Sequence, residues 1–287
     1  MSTSTTGVGN FNTQEVQPWD QPIKDYQKTF QLLEYHDTQP ELPIGLTSLD
    51  MDKEHNLRIR AEVVNPQSNT FTAKIWTWYD TKLYSAGMSW IEKTHKLPFL
   101  QSGTFDTNEI RDWRKPQHDN SKVIQFSTPF SSAPKVACFL TYFDMEKGKN
   151  WRLKVIPSNI TSTGFKITIK SWFDSVLYGA SATWVAYPSD MSSISSGRFS
   201  TGDIRDWRNP QQKNSSRVDF NWQFTKPPSL FVGLDEFDYN SDYNLRLKLE
   251  TSDVTTTGFK WNLDAWFDSE MYQSGASYLA WDADALP

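Results

Sequence analysis

The chain repeats itself at an interval of 94 residues, and three such intervals account for nearly all of its 287 residues. Arg58, Arg152 and Arg246 keep that spacing, as do Trp78, Trp172 and Trp266. Trp19, Trp113 and Trp207 keep it too, and so do Phe11, Phe105 and Phe199. The period is too long for a solenoid or propeller unit, which recurs at roughly 20–50 residues. It suits a complete small domain of about 100 residues. The chain therefore divides into three copies, over 1–94, 98–188 and 192–287, with linkers at Glu92–Pro98 and Pro188–Ser195. Function in such a chain should also come in threes.

Within a copy the dominant period is two. In Asn56–Val63 the apolar set is Leu57, Ile59, Ala61 and Val63, while Arg58, Arg60 and Glu62 take the other face. Trp151–Val155 and Leu245–Leu249 repeat the pattern, which is that of a half-buried strand. A stretch rich in Pro, Asn, Ser, Thr and Gly follows each, such as Pro157–Gly164, and predicts a hairpin loop. A second alternating run comes next, Phe165–Trp172 in the second copy. No useful helical periodicity is present. The expected class is all-β, with each copy a small six-stranded antiparallel sandwich.

The faces of these runs carry the functional signal. Phe165, Ile167, Ile169 and Ser171 form one side, opposite Lys166, Thr168, Lys170 and Trp172. Phe259, Trp261, Leu263 and Ala265 oppose Lys260, Asn262, Asp264 and Trp266, and in the first copy Trp76 and Trp78 lie on the polar side. A Trp thus stands on a polar face three times, with an Arg on the polar face of the preceding strand. The midpoint of Arg58 and Trp78 falls in the intervening loop, so an unbulged hairpin brings the two side chains together, as it does in the other copies. An outward indole beside a guanidinium suits a sugar: the C–H face of a pyranose stacks on the ring, and the guanidinium fork donates to hydroxyls. The competing reading is a cation–π pair covered by a neighbouring copy.

Composition narrows the alternatives. One Cys rules out a disulfide framework and indicates a reducing compartment. The start, Met1–Gly7, lacks the features of a secretory signal, so a cytoplasmic protein, or one released without a signal, is expected. No segment reaches the roughly 18 apolar residues of a membrane span, and no membrane insertion is expected. A net charge of −5 argues against nucleic acid. The 13 Trp exceed what cores usually need.

In order along the chain, the motifs resemble those of the H-type lectin family. They are Ser102-Gly-x-Phe-x-Thr with Trp113 downstream, Phe143-Asp-Met-Glu, Asn150-Trp-Arg152, Thr163-Gly-Phe-Lys166 and Trp172-Phe-Asp-Ser-x-x-Tyr178. Trp78-Tyr-Asp-Thr-Lys-Leu-Tyr84 and Trp266-Phe-Asp-Ser-Glu-Met-Tyr272 repeat the last of these. The resemblance implies a six-stranded sandwich that assembles as a trimer and binds N-acetylgalactosamine or galactose at subunit boundaries. Three copies in one chain then imply a monomeric pseudo-trimer, an agglutinin or cell-adhesion lectin whose partners are glycoconjugates. Carried over, the binding residues are Arg58, Arg152 and Arg246, Trp78, Trp172 and Trp266, and the adjacent rings Tyr79, Phe173 and Phe267. An early-loop acid is implied from the neighbouring copy, Asp25 or Asp119. The third copy has Lys213 there, which cannot accept a hydrogen bond from a hydroxyl, so that site is expected to be weakened, lost or altered.

Other repeated residues take structural readings. Phe11, Phe105 and Phe199 are core, and Trp19, Trp113 and Trp207 are packing at a sandwich edge or copy interface. Asp80, Asp174 and Asp268 begin a turn, as do Asp50, Asp144 and Asp238. Cys138 lies in an apolar strand as a buried thiol. The four His do not repeat, no acidic pair suits glycoside cleavage, and no metal, phosphate or nucleophile motif is present. Neither an enzyme nor a cofactor or metal requirement is expected. The alternative to a lectin is a structural or protein-interaction module using the same Arg/Trp patches.

Overall fold

A computed structural model describes residues 7–94, 97 and 99–282. The Met1–Thr6 start, His95, Lys96 and Pro98 of the first linker, and the last five residues lie outside the described residues. The first copy supplies β1 (Val8–Asn12), β2 (Asp25–Gln31), β3 (Ile44–Met51), β4 (Leu57–Val64), β5 (Thr70–Trp76) and β6 (Leu83–Ile91). The second supplies β7 (Gln101–Asp106), β8 (Asp119–Gln125), β9 (Lys135–Met145), β10 (Trp151–Ser158), β11 (Gly164–Lys170) and β12 (Leu177–Tyr187). The third supplies β13 (Ile194–Ser200), β14 (Ser215–Asp219), β15 (Ser229–Tyr239), β16 (Leu245–Ser252), β17 (Gly258–Asp264) and β18 (Met271–Trp281). Among the described residues the only helices are short 3-10 turns after β1, β7 and β13.

The expected alternation holds strand by strand. Phe165, Ile167, Ile169 and Ser171 are buried, as are Phe259, Trp261, Leu263 and Ala265. Phe11, Phe105 and Phe199 are core, and so is Cys138, whose thiol burial pushes far above its usual range. The three sheets are all antiparallel and six-stranded, in the orders β1-β6-β3-β16-β17-β14, β13-β18-β15-β10-β11-β8 and β2-β5-β4-β9-β12-β7.

Each of those sheets draws three strands from one copy and three from another. The two halves of a copy's sandwich therefore belong to different sheets, each shared with a different neighbour. The joints are β4 on β9, β10 on β15, and β16 on β3. Copy one joins copy two, copy two joins copy three, and copy three returns to copy one. This closed ring is the pseudo-trimer. Backbone pairing at the joints satisfies strand edges that would be open in a lone copy.

At the centre of the ring the three copies differ. Gly45, Phe139 and Gly233 occupy equivalent positions in β3, β9 and β15. A Cβ built on Gly45 would stand 3.0 Å from Phe139 Cβ and 3.2 Å from Gly233 Cα. Two glycines make room for one phenyl ring, which meets Phe231 edge-on at 4.6 Å. A second apolar cluster, with Ile91, Phe139, Val185, Phe231 and Leu279, gathers residues of all three copies. Gly45→Ala should overpack this centre and cost about 1–3 kcal/mol, and Phe139→Ala should leave a cavity costing about 3–5 kcal/mol. Chemical unfolding checks both. Midpoints unchanged in the two variants would show that the ring is not held at this contact.

Candidate functional site

The hairpins that carry the Arg/Trp pairs are unbulged. Arg60 pairs with Trp76, Lys154 with Lys170, and Lys248 with Asp264, a register that carries Arg58 opposite Trp78 and likewise in the other copies. The strand stops at Trp76, and the chain turns through Trp78–Asp80. Trp78, Trp172 and Trp266 are half-buried, with Trp78 packed 5.0 Å from Trp76 and 5.8 Å from Tyr142 of the next copy.

The next ring is far more exposed. Tyr79, Phe173 and Phe267 are 83%, 81% and 80% exposed, and their φ angles are 57°, 55° and 55°. A bulky residue in the left-handed region is strained by about 1–2 kcal/mol, and an exposed aromatic ring recovers nothing by burial. The same strained, exposed geometry recurs in all three copies. Each ring lies over its copy's guanidinium, at 5.4, 5.3 and 5.2 Å from Arg58, Arg152 and Arg246.

Two carboxylates hold each guanidinium. From the same copy, Asp80 accepts from Arg58 Nη1 at 2.6 Å, Asp174 from Arg152 at 2.5 Å and Asp268 from Arg246 at 2.5 Å. These residues do begin turns, and they are also Arg partners. From the neighbouring copy, Asp144, Asp238 and Asp50 lie 3.5, 3.2 and 3.4 Å from the respective Nε atoms. They sit directly across the joint in register: Arg58 with Asp144, Arg152 with Asp238, Arg246 with Asp50. The turn expected at Asp50, Asp144 and Asp238 is thus corrected: all three are strand residues, aimed at an Arg across a copy boundary. Among the described residues, Nη2 of these arginines carries no hydrogen bond.

The Asn of the Asn-x-Arg motif stitches the same joint. Asn56 accepts from the backbone of Lys147 at 3.1 Å, Asn150 from Ser241 at 3.1 Å and Asn244 from Lys53 at 3.1 Å. This set and the cross-joint Asp both keep the 94-residue spacing, but no local pattern shows that they act across a joint.

The early-loop residues stand elsewhere than expected. Asp25 pairs with Lys74 at 3.1 Å, Asp119 with Lys170 at 3.5 Å and Lys213 with Asp264 at 3.0 Å. All these partners belong to the same copy, because β2, β8 and β14 pair with that copy's own β5, β11 and β17. The carboxylate from the neighbour is Asp144, Asp238 or Asp50 instead. Lys213 and Asp264 reverse the polarity of Asp119 and Lys170, so the third copy keeps the ion pair with its charges exchanged.

The neighbour also presents its 3-10 turn and an exposed indole. Trp19, Trp113 and Trp207 are 57%, 52% and 49% exposed, each edge-on to Tyr84, Tyr178 or Tyr272 at 6.2–6.4 Å. Packing at a sandwich edge or copy interface was expected of these rings; each packs edge-on against a tyrosine of its own copy with about half its surface exposed, and Trp19 lines the cleft at the third–first boundary. At the third–first boundary a cleft of about 1460 Å³ joins Arg246, Trp266 and Asp268 to Asn12, Trp19 and Ser48.

Burial raises the carboxyl groups of Asp50, Asp144 and Asp238 to about 6, offset only in part by Arg246, Arg58 and Arg152. For Asp80 and Asp174, slight burial works upward, but hydrogen bonds from Arg58 and Arg152 hold both below the usual range.

A family model described as H-type lectin domain matches residues 27–91, 121–187 and 215–281. Over 63 residues the chain is 35% identical to a Fuscovulum blasticum protein named ATP synthase subunits region ORF 7. That match covers 22% of this chain and 55% of the relative, so the chain spans about half of that protein's length. Two structures of discoidin II of Dictyostelium discoideum are similar at low identity. The recombinant native form gives 15% identity and a TM-score of 0.28 over 58% of this chain and 83% of that one. The wild-type form gives 13% and 0.28 over 64% and 94%.

The raised carboxyl groups set a pH dependence. Their folded pKa lies above the unfolded value of about 3.9, so between about 4 and 6 the folded chain binds more protons. Their contribution to stability is fully present below about 4 and is lost as pH rises through about 6. Carboxyl NMR titration should show three Asp midpoints near 6, and Asp144→Asn should flatten the stability profile in that window. Midpoints all near 4 would contradict the burial of these groups.

Proposed function

Because the chain belongs to the H-type lectin family, we propose that it binds terminal N-acetylgalactosamine or galactose of glycoconjugates at its three copy boundaries. The observation that carries this is the thrice-repeated exposed ring on left-handed backbone, set against a guanidinium clamped from two copies. The ring offers an apolar face to the C–H side of a pyranose. The guanidinium, oriented through Nη1 and Nε, keeps Nη2 for neighbouring sugar hydroxyls. The exposed carboxylate of Asp80, Asp174 or Asp268 has capacity left to accept from a hydroxyl. We place Asp25 and Asp119 at the margin of their sites, behind Lys74 and Lys170. The third site is altered rather than lost, since Lys213 leaves the Arg246, Trp266, Phe267 and Asp50 set in place. Three linked sites turn weak single contacts into avidity. The chain acts by binding, with no catalytic step.

Retention on N-acetylgalactosamine- or galactose-agarose, with release by free sugar, tests the reading. Phe173→Gly and Tyr79→Gly should each weaken binding at one boundary by about 0.5–1.5 kcal/mol, up to roughly tenfold in Kd. Neither should lower stability, because glycine relieves the left-handed strain. Trp172→Ala should weaken the same boundary as Phe173→Gly. Binding should also decline as pH falls through about 6, where protonation of Asp144, Asp238 and Asp50 releases the Nε side of the clamp. A folded protein that bound no glycan on an array would sink the lectin reading in favour of a protein-interaction module.

A further inference from the structure

The three boundaries share their Arg, Trp and Asp but differ one step along the joint. Beyond Arg58 and Asp144, the register pairs Arg60 with Tyr142, and at the second joint Lys154 with Glu236. At the third joint it pairs Lys248 with Ser48. These partners decide how much room adjoins each guanidinium.

At the first–second boundary the space is filled. Arg60 stacks on Tyr142 at 4.1 Å and donates to Asp106 at 2.8 Å, and the phenol ring also meets Trp78 at 5.8 Å. A separate cleft of about 440 Å³ reaches Arg60 and Tyr142, but Arg58 and Trp78 do not line it. At the second–third boundary, Glu236 is held by Lys154 at 3.2 Å and by Arg198, which also binds Asp235 at 3.0 Å. A charged group so clasped is costly to displace.

At the third–first boundary Ser48 fills almost none of that space. Lys248, lacking a partner across the joint, turns to Glu250 of its own strand at 2.6 Å. The opposite wall, where Trp76 stands in the first copy, is Asp264, held by Lys213. The resulting cleft of about 1460 Å³ runs without interruption from Arg246 and Trp266 past Ser48 to Lys248 and Glu250. It exceeds the roughly 300–1,000 Å³ of a small-molecule site. Lys213 pairs with Asp264 and Lys248 with Glu250, while Glu15, Asp50 and Asp268 outnumber Arg246, so the lining offers many donors and acceptors with a small acidic excess that disfavours an anionic sugar.

We propose that the third–first boundary holds an extended subsite for the penultimate residue of a neutral oligosaccharide, beside its Arg246/Trp266 site, and that the other two boundaries take the terminal residue alone. This rests on the sugar-binding reading above. Ser48, Lys248 and Asp264 determine the specificity, and Tyr142 and Glu236 are the residues that close the equivalent space elsewhere.

Calorimetry on the full chain tests this. The probes are the methyl glycoside of N-acetylgalactosamine and a panel of neutral disaccharides presenting that residue in each linkage to galactose. One site in three should bind a disaccharide more tightly than the methyl glycoside, by roughly tenfold for one or two added hydrogen bonds. The double variant Ser48→Tyr with Lys248→Arg rebuilds the Tyr142–Arg60 stack and should abolish that advantage while keeping methyl glycoside binding. The reciprocal Tyr142→Ser should create a second site that prefers the disaccharide. Monosaccharide binding with no disaccharide preference at any site would overturn the subsite alone. So would an advantage that survives the double variant, or a stronger preference for sialylated disaccharides. No binding of the methyl glycoside would overturn the lectin reading and the subsite with it.

Discussion

The structure depends on backbone pairing across copy boundaries. A three-stranded half-sheet leaves a strand edge of unpaired N–H and C=O groups, which are costly to bury and prone to stray pairing. Here β4, β10 and β16 each find that partner in the next copy's β9, β15 and β3. Three such joints close a ring, so no copy completes its sheets alone. The register of each joint fixes everything built on it, because a slip of one residue would turn every side chain to the other face.

That register explains the geometry of the site. It sets Arg58, Arg152 and Arg246 opposite Asp144, Asp238 and Asp50, while the hairpin within each copy sets the same Arg opposite its Trp. A guanidinium held by two carboxylates loses little further rotamer freedom on meeting a ligand, so the site is pre-organised. The cost appears in the neighbour's Asp, whose Oδ1 is buried in all three copies without an aligned hydrogen bond and whose carboxyl is raised to about 6. A second cost is the left-handed backbone of Tyr79, Phe173 and Phe267. Both recur wherever the site recurs.

Fusion into one chain lets equivalent positions diverge. A symmetric assembly would have to place three phenyl rings or three glycines at its centre, whereas Gly45, Phe139 and Gly233 pack as a complementary set. The same freedom reverses the Asp119–Lys170 pair into Lys213–Asp264. It also replaces Tyr142 by Glu236 and Ser48 along the joint.

The sequence by itself determined the three copies, the strands and their faces, because side chains alternate along a strand and the 94-residue spacing is visible without coordinates. It also placed Arg58 opposite Trp78, since a hairpin is local and its pairing sum is constant. What lay across a joint was not legible. Asp144 looked like a turn residue and Asp25 like the neighbour's acid, because pairing between distant strands leaves no local period to read. Only the tertiary structure decided that sheets pass from copy to copy, that Asp50, Asp144 and Asp238 meet the three arginines across the joints, and that Ser48 leaves one boundary open. The physical reason is that a strand's own sequence specifies which face is buried, while the partner at its edge is chosen by the closure of the ring.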